Sequence, residues 1–331
     1  MLIFSRIVSS CRRRTGNRIH DFALLAVVVG LCSVAPAWGQ SKGYPGNDLV
    51  VPPPPPPPVV AAEQTGGQAV EQEASMPNSI LLEYGRSTGR NEDIYTELDI
   101  GVGPNGGVLR MGFGKSEVDT PTRELFTETY YLAVNGYVSE QMGLGFSYLS
   151  WGDSGDLKTK SFSSTVSWFE PDSIYSLTAI VRNIELFTQY TDPDIDRITG
   201  TGNGIEGAYV HRFTDRLELV TDVLFYEYSL DMRILSDLSD ETLTNRALEL
   251  GSGFLDSNYR VELGYFFPES RVSGQLENSV SAIDGADSNT VMIRYDLFNQ
   301  SGYQFYILGG RTATSNDLTS NFGRVGIVFL W

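Results

Sequence analysis

Residues 321–331 read NFGRVGIVFLW. Val325, Ile327, Phe329 and Trp331 fall on one parity, and Arg324 and Gly326 on the other. Successive side chains leave opposite faces of a strand, so a period of two marks a strand with one apolar face. Chain ends in water usually fray. An apolar-faced strand that finishes on tryptophan therefore asks for an apolar medium along that face, and whatever supplies it has to suit the rest of the chain.

The same pattern recurs from Ile80 onward. In YRVELGYFF, Tyr259, Val261, Leu263, Tyr265 and Phe267 oppose Arg260, Glu262 and Gly264. In TVMIRYDLF, Val291, Ile293, Tyr295 and Leu297 oppose Met292, Arg294 and Asp296. In SIYSLTAIVR, Tyr175, Leu177, Ala179 and Val181 oppose Ser176, Thr178 and Arg182. A soluble sandwich alternates too, so three further features decide. The stretches run for about 9–15 residues against a usual mode of about 5–6, which suits a tilted bilayer crossing. Aromatics gather near strand ends, as in FSYLSW, FYEY and GYFFP, where an interfacial girdle places them. Glycines sit among polar residues, as in MGFG and GLGF, where a crowded interior needs small residues. No run of about 18 apolar residues exists, which excludes a helical span.

The front of the chain is different. Five arginines (Arg6, Arg12, Arg13, Arg14, Arg18) precede the apolar run Phe22–Leu31, and small residues follow. This is a secretory signal peptide pattern over residues 1–39, with cleavage expected after Ala37 or Gly39. Its removal takes both cysteines, Cys11 and Cys32, so no disulfide framework is expected. The formal net charge of −17 falls to about −21, because five arginines and one aspartate leave with it. That charge argues against a nucleic-acid partner. Residues 40–77 are expected to form a disordered periplasmic tail. Its seven prolines, Pro52 to Pro58, enter neither helix nor sheet ladder and extend for about 22 Å at roughly 3.1 Å per residue. The tail is either a spacer or an arm that grips a periplasmic partner.

Turns separate the strands in two classes. Tight ones are GPNG (103–106), VSE (138–140), EPD (170–172), FTD (213–215), LDSN (255–258) and NQSG (299–302). Long polar ones include RSTGRNE, KSEVDTPTRE, WGDSGD, YTDPDIDRITGTGNG and the stretch around LSDLSDE. In membrane barrels short turns face the periplasm and long loops the exterior, and strand number is even. A first count gives fifteen strands. Treating PESRVSGQLENSVSAIDGADSN as mostly an outer loop restores parity and gives fourteen, with twelve or sixteen left open.

Residues 79–331 thus resemble the bacterial outer-membrane β-barrel class, specifically its porin-like channels, with no single family specified. The resemblance implies an all-β transmembrane antiparallel barrel over 78–331 in the cell outer membrane, with the N-terminal tail in the periplasm. Members end in an aromatic residue with hydrophobic residues alternating behind it, and here Val325, Ile327, Phe329 and Trp331 match that signal for the barrel assembly machinery. The other implied partners are outer-membrane lipid and lipopolysaccharide.

The polar parity holds the functional residues. Arg110, Arg182, Arg212, Arg260, Arg294 and Arg324 are expected inward with Glu97, Asp99, Glu206, Glu218, Asp222, Glu262 and Asp296. Such a wall either lines a channel or braces a closed barrel. Arg110, Arg182, Asp222, Arg260, Glu262, Arg294 and Asp296 are the candidates for selectivity. An enzyme is not expected: the single histidine beyond the signal, His211, falls on the apolar parity near a tight turn, and no local triad accompanies it. Asp192, Asp194 and Asp196 offer oxygen ligands of the calcium type, but without EF-hand spacing, and no cofactor is expected. The leading function is a channel for small hydrophilic solutes or an exported polymer. The alternative is a barrel anchoring a multiprotein envelope complex, such as one for polysaccharide export, through Pro52–Pro58.

Overall fold

The computed structural model describes residues 78–87, 92–102, 107–119, 124–153, 157–186, 198–232, 254–283, 285–299, 302–315 and 319–331. Strands β1 (Ser79–Ser87), β2 (Glu92–Val102), β3 (Gly107–Asp119) and β4 (Glu124–Ser139) come first. Strands β5 (Met142–Asp153), β6 (Leu157–Glu170), β7 (Ser173–Leu186), β8 (Ile198–Thr214) and β9 (Leu217–Tyr228) follow. Strands β10 (Leu255–Phe267), β11 (Ser270–Ser281), β12 (Asp287–Asn299), β13 (Tyr303–Thr314) and β14 (Thr319–Leu330) complete the set. Each pairs antiparallel with its sequence neighbours, and β14 returns to β1, so the fourteen strands make a closed barrel.

The closing seam is the stretch NFGRVGIVFLW. Ile80, Leu82 and Tyr84 of β1 stand opposite Phe329, Ile327 and Val325 of β14. Beyond the last pair, Asn78 and Trp331 exchange both backbone hydrogen bonds at 3.1 Å. Closure leaves no open edge, a requirement for strands in hydrocarbon, where an unpaired amide or carbonyl costs several kcal/mol.

Burial is inverted relative to a water-soluble domain. Phe146, Leu276 and Ile293 are 61–64% exposed, whereas Glu262, Asp222 and Arg260 are 2–7% exposed. Exposed apolar side chains occur on nearly every strand, from Ile80 and Leu82 of β1 to Val325 and Phe329 of β14. A continuous apolar belt of that extent far exceeds the patches that monomers tolerate in water, and identifies the outer face as the lipid face. Among the described residues no helix is long and apolar enough to cross a membrane, so crossing falls to the strands.

The strand number matches the expected fourteen, but one hairpin is placed differently. Ser270–Ser281 form β11, paired with β10 and β12, where the sequence suggested a loop. LDSN is not a turn: Ser257 and Asn258 already pair with Phe225 and Leu224 of β9. The tight connection is Pro268–Glu269, where proline ends the ladder for want of an N–H. Connections of two to four residues then join every even strand to the next odd one, and the longest, 229–254, joins β9 to β10. GPNG, and Gln300 and Ser301 of NQSG, lie outside the described residues.

Candidate functional site

Alternation along each strand delivers every second side chain to the interior, and the register decides which of them meet. On β4–β7 the inward polar positions are neutral apart from Arg182 on β7, and the buried apolar ones include Leu149, Trp151, Ile180 and Ile184. Ser147 faces Ser163 at 2.7 Å, Thr165 faces Thr178 at 2.9 Å, and Ser167 faces Ser176 at 2.6 Å, each a hydroxyl pair across two strands. Thr127, Thr129, Thr159 and Ser161 continue this lining and are buried.

The remaining wall is charged, and register assembles it into pairs. Arg110 lies opposite Asp99 and forks onto both carboxylate oxygens at 2.7 and 2.8 Å, with Glu97 at 3.1 Å. Arg260 lies opposite Asp222 at 2.5 Å. Arg212 faces Glu218 at 3.4 Å, and Arg294 reaches Asp296, two places along its own strand, at 2.6 Å. Arg324 sits opposite Gly85 and reaches diagonally to Glu83 at 3.1 Å and Asp93 at 3.6 Å. Tyr306 donates to the same Glu83. Charge-assisted, often forked contacts of this kind hold side chains in fixed geometry more than they add net stability.

Arg271 is the hub. It contacts Glu262 at 2.7 Å, Glu218 at 3.3 Å and Asp296 at 3.9 Å, so one guanidinium joins β9, β10 and β12. Arg182 is held differently, by Ser161 at 3.0 Å and the Tyr226 hydroxyl at 3.2 Å, with its guanidinium over the Tyr226 ring at 4.8 Å.

Glycine explains how large side chains fit inside the barrel. Tyr226 and Tyr228 of β9 stand directly opposite Gly204 and Gly202 of β8. A Cβ on those glycines would lie 2.7 and 2.8 Å from the rings. Arg324 lies across Gly85 in the same way, at 2.9 Å, and Tyr306 across Gly326. Each of these four side chains thus lies against a bare patch of the neighbouring strand.

All seven residues expected to govern selectivity (Arg110, Arg182, Asp222, Arg260, Glu262, Arg294 and Asp296) lie on inward positions of this wall. Arg271, Glu83 and Tyr306 were not anticipated. Arg271 fell in the stretch taken for a loop. The signal for it was chemical: inward carboxylates on β8–β12 outnumber the arginines expected beside them, and buried carboxylates need a cation. Val325, Ile327, Phe329 and Trp331 lie on β14 and just beyond it, three of them on the exposed face.

His211 stays on the outward parity. Its Nδ1 is 2.9 Å from Ser173 Oγ, its ring stacks on Tyr209 at 5.8 Å, and Phe213 packs edge-on at 4.6 Å. It faces away from every lumen carboxylate, in an aromatic setting fit for an interface. Among the described residues no group of three or more metal-ligating side chains forms. Asp192, Asp194, Asp196, Pro52 and Pro58 lie outside the described residues.

Compared by sequence, the chain matches no protein-family model and no curated protein. Compared by shape, it is similar to solved outer-membrane barrels. A CymD monoaromatic hydrocarbon channel aligns with TM-score 0.49 and 8% identity over 78% of this chain and 88% of that one. A bacterial polysaccharide outer membrane secretin aligns with TM-score 0.48 and 8% identity, over 77% and 98%. The NanC porin gives 0.41 and 11%, over 76% and 98%. The likeness is one of fold. The reading of the lumen rests on the side chains above.

Proposed function

We propose that this chain is an outer-membrane channel through which small hydrophilic solutes diffuse along a polar lumen. The observation that carries the reading is the charged lining. Arg110, Arg294, Arg324 and Asp93 keep 13–29% of their side chains exposed and offer hydrogen-bonding groups to water, while glycines make room for Arg324 and for the tyrosines beside them. Inward carboxylates exceed guanidiniums, which favours cations and uncharged polar solutes over anions.

Orientation follows from the connections. Asn78 pairs with Trp331 at the end that carries the short turns, so a segment preceding Asn78 enters on that side. Short turns face the periplasm in such barrels, which supports a periplasmic position for residues 40–77. The purified chain in a planar bilayer tests the reading. Stable unitary openings with a modest cation preference are expected, and a correctly folded barrel that stays silent at all voltages would reject it.

A further inference from the structure

The extracellular end of the lumen is not lined uniformly. Trp151 of β5, Ile184 of β7, Met232 and Phe254 beside β9 and β10, and Ile283 after β11 form one apolar cluster. Each is at most 4% exposed, and Phe254 is completely buried. The Trp151 and Phe254 rings meet edge-on at 5.8 Å, and Tyr228 packs against Phe254 at 6.1 Å. The backbone N–H of Ala282 donates to the Phe254 carbonyl at 2.7 Å, which ties the connection after β11 to the start of β10.

These residues are far apart around the ring. With fourteen strands in closed order, β5 and β12 stand diametrically opposite, and Ile283 lies in the connection leading into β12. Packing from Trp151 through Phe254 to Ile283 is therefore a chord close to a diameter, whereas the ion pairs between strands described above join adjacent or next-adjacent ones. Under the chord lies the Arg182 sector: Arg182, Ser161 and Tyr226 are all buried, and the guanidinium lies 5.9 Å from the Phe254 ring. The sector of β12–β14 and β1–β4 lies on the far side. Among the described residues, no apolar cluster bridges it in this way.

We infer that the apolar chord divides the mouth, so that solutes enter along β12–β14 and β1–β4, past Arg324, Glu83 and Asp93. This deepens the channel reading and rests on it for its significance. It assigns specificity to a triad outside the seven residues picked from sequence, and makes Arg182 a sheltered positioning group that braces Tyr226 beneath Phe254. A largely apolar span excludes water, because a hydrated solute crossing it loses most of its hydrogen bonds without replacement.

The test combines thiol labelling with conductance, on the full chain carrying Cys11→Ser and Cys32→Ser. Ser161→Cys lies beneath the chord, and Thr312→Cys lies on the opposite side, inward on β13. A charged, membrane-impermeant thiol reagent added from the extracellular side should modify Thr312→Cys rapidly and Ser161→Cys slowly. Adding Phe254→Ala should speed modification at position 161 by about tenfold, equivalent to about 1.4 kcal/mol of lost protection, and leave position 312 unchanged. In a bilayer, Trp151→Ala with Phe254→Ala should raise unitary conductance by about twofold, as the second half of the mouth opens. Arg324→Gln should shift the reversal potential. Equal labelling at 161 and 312 in a conducting parent overturns the chord and leaves the channel reading standing. The expected labelling in a silent barrel upholds the chord and overturns the channel reading.

Discussion

Strands β4–β7 and strands β8–β12 share one backbone plan, yet, Arg182 of β7 apart, the inward polar groups of the first sector are neutral and those of the second are mostly charged. The first sector is a set of hydroxyl pairs, Ser147 with Ser163, Thr165 with Thr178 and Ser167 with Ser176. The second is a chain of ions centred on Arg271, which touches carboxylates from three other strands. Hydroxyls are modest, self-sufficient partners that can donate and accept in turn. Buried ions are interdependent, since each relies on the next for the solvation it has lost. The two sectors should therefore fail in different ways when a single partner is removed.

The largest effect is expected at the hub. Arg271→Ala leaves Glu218, Glu262 and Asp296 close together without the guanidinium that joins them. Removing one partner of a buried ionic set costs about 3–5 kcal/mol, because uncompensated charge remains. The urea midpoint of the detergent-folded barrel should fall accordingly. A fall no greater than that of a single hydroxyl deletion would show that water enters the charged sector freely and that the contrast between the two walls is superficial.

That hub also marks the limit of what the residues disclose. Faces were legible wherever alternation was strong: Tyr259, Val261 and Leu263 against Arg260, Glu262 and Gly264 placed β10 correctly. The neighbouring β11 carries Gly274 and Asn278 on its outward parity, which dilutes the apolar stripe and makes the segment look like a loop. LDSN has turn-forming composition, but composition is a local preference, and pairing with β9 overrides it. Parity then gave fourteen strands from a compensating pair of misplacements. Alternation put the charges on the inward face but paired none of them, and the reach of Arg271 across three strands depends on a register that no single segment contains. The apolar chord was further from view, because Trp151 and Ile283 are neighbours only once the ring has closed.

An intermediate effect should come from the glycine that seats Tyr226. Gly204→Val places carbon where the ring now lies, since even a Cβ would be 2.7 Å from it. Tyr226 must turn toward the axis and release its hydroxyl from Arg182, a contact of 3.2 Å. Overpacking of this kind costs about 1–3 kcal/mol, and unitary conductance should drop as the ring projects inward. Gly207→Ala is the control. It lies on the outward parity three residues along the same strand, where an added Cβ meets nothing within 4 Å, and both stability and conductance should hold.

The smallest effect belongs to the hydroxyl wall and is the sharpest test of the contrast. Ser167 and Ser176 face each other at 2.6 Å and are buried at 6% and 2% exposure. Ser167→Ala removes one hydroxyl and leaves Ser176 without that partner, which costs about 1 kcal/mol in the usual range for a buried hydrogen bond. Ser167→Ala with Ser176→Ala removes both, so neither is left unsatisfied, and the double variant should recover most of the loss. The coupling read from the double-mutant cycle is then comparable with the cost of the single change. If the double variant is instead as damaged as the sum of the two singles, each hydroxyl serves water in the lumen independently. The wall of β4–β7 would then be a wetted surface in its own right, and the solute would meet serines and threonines as directly as it meets the charges opposite.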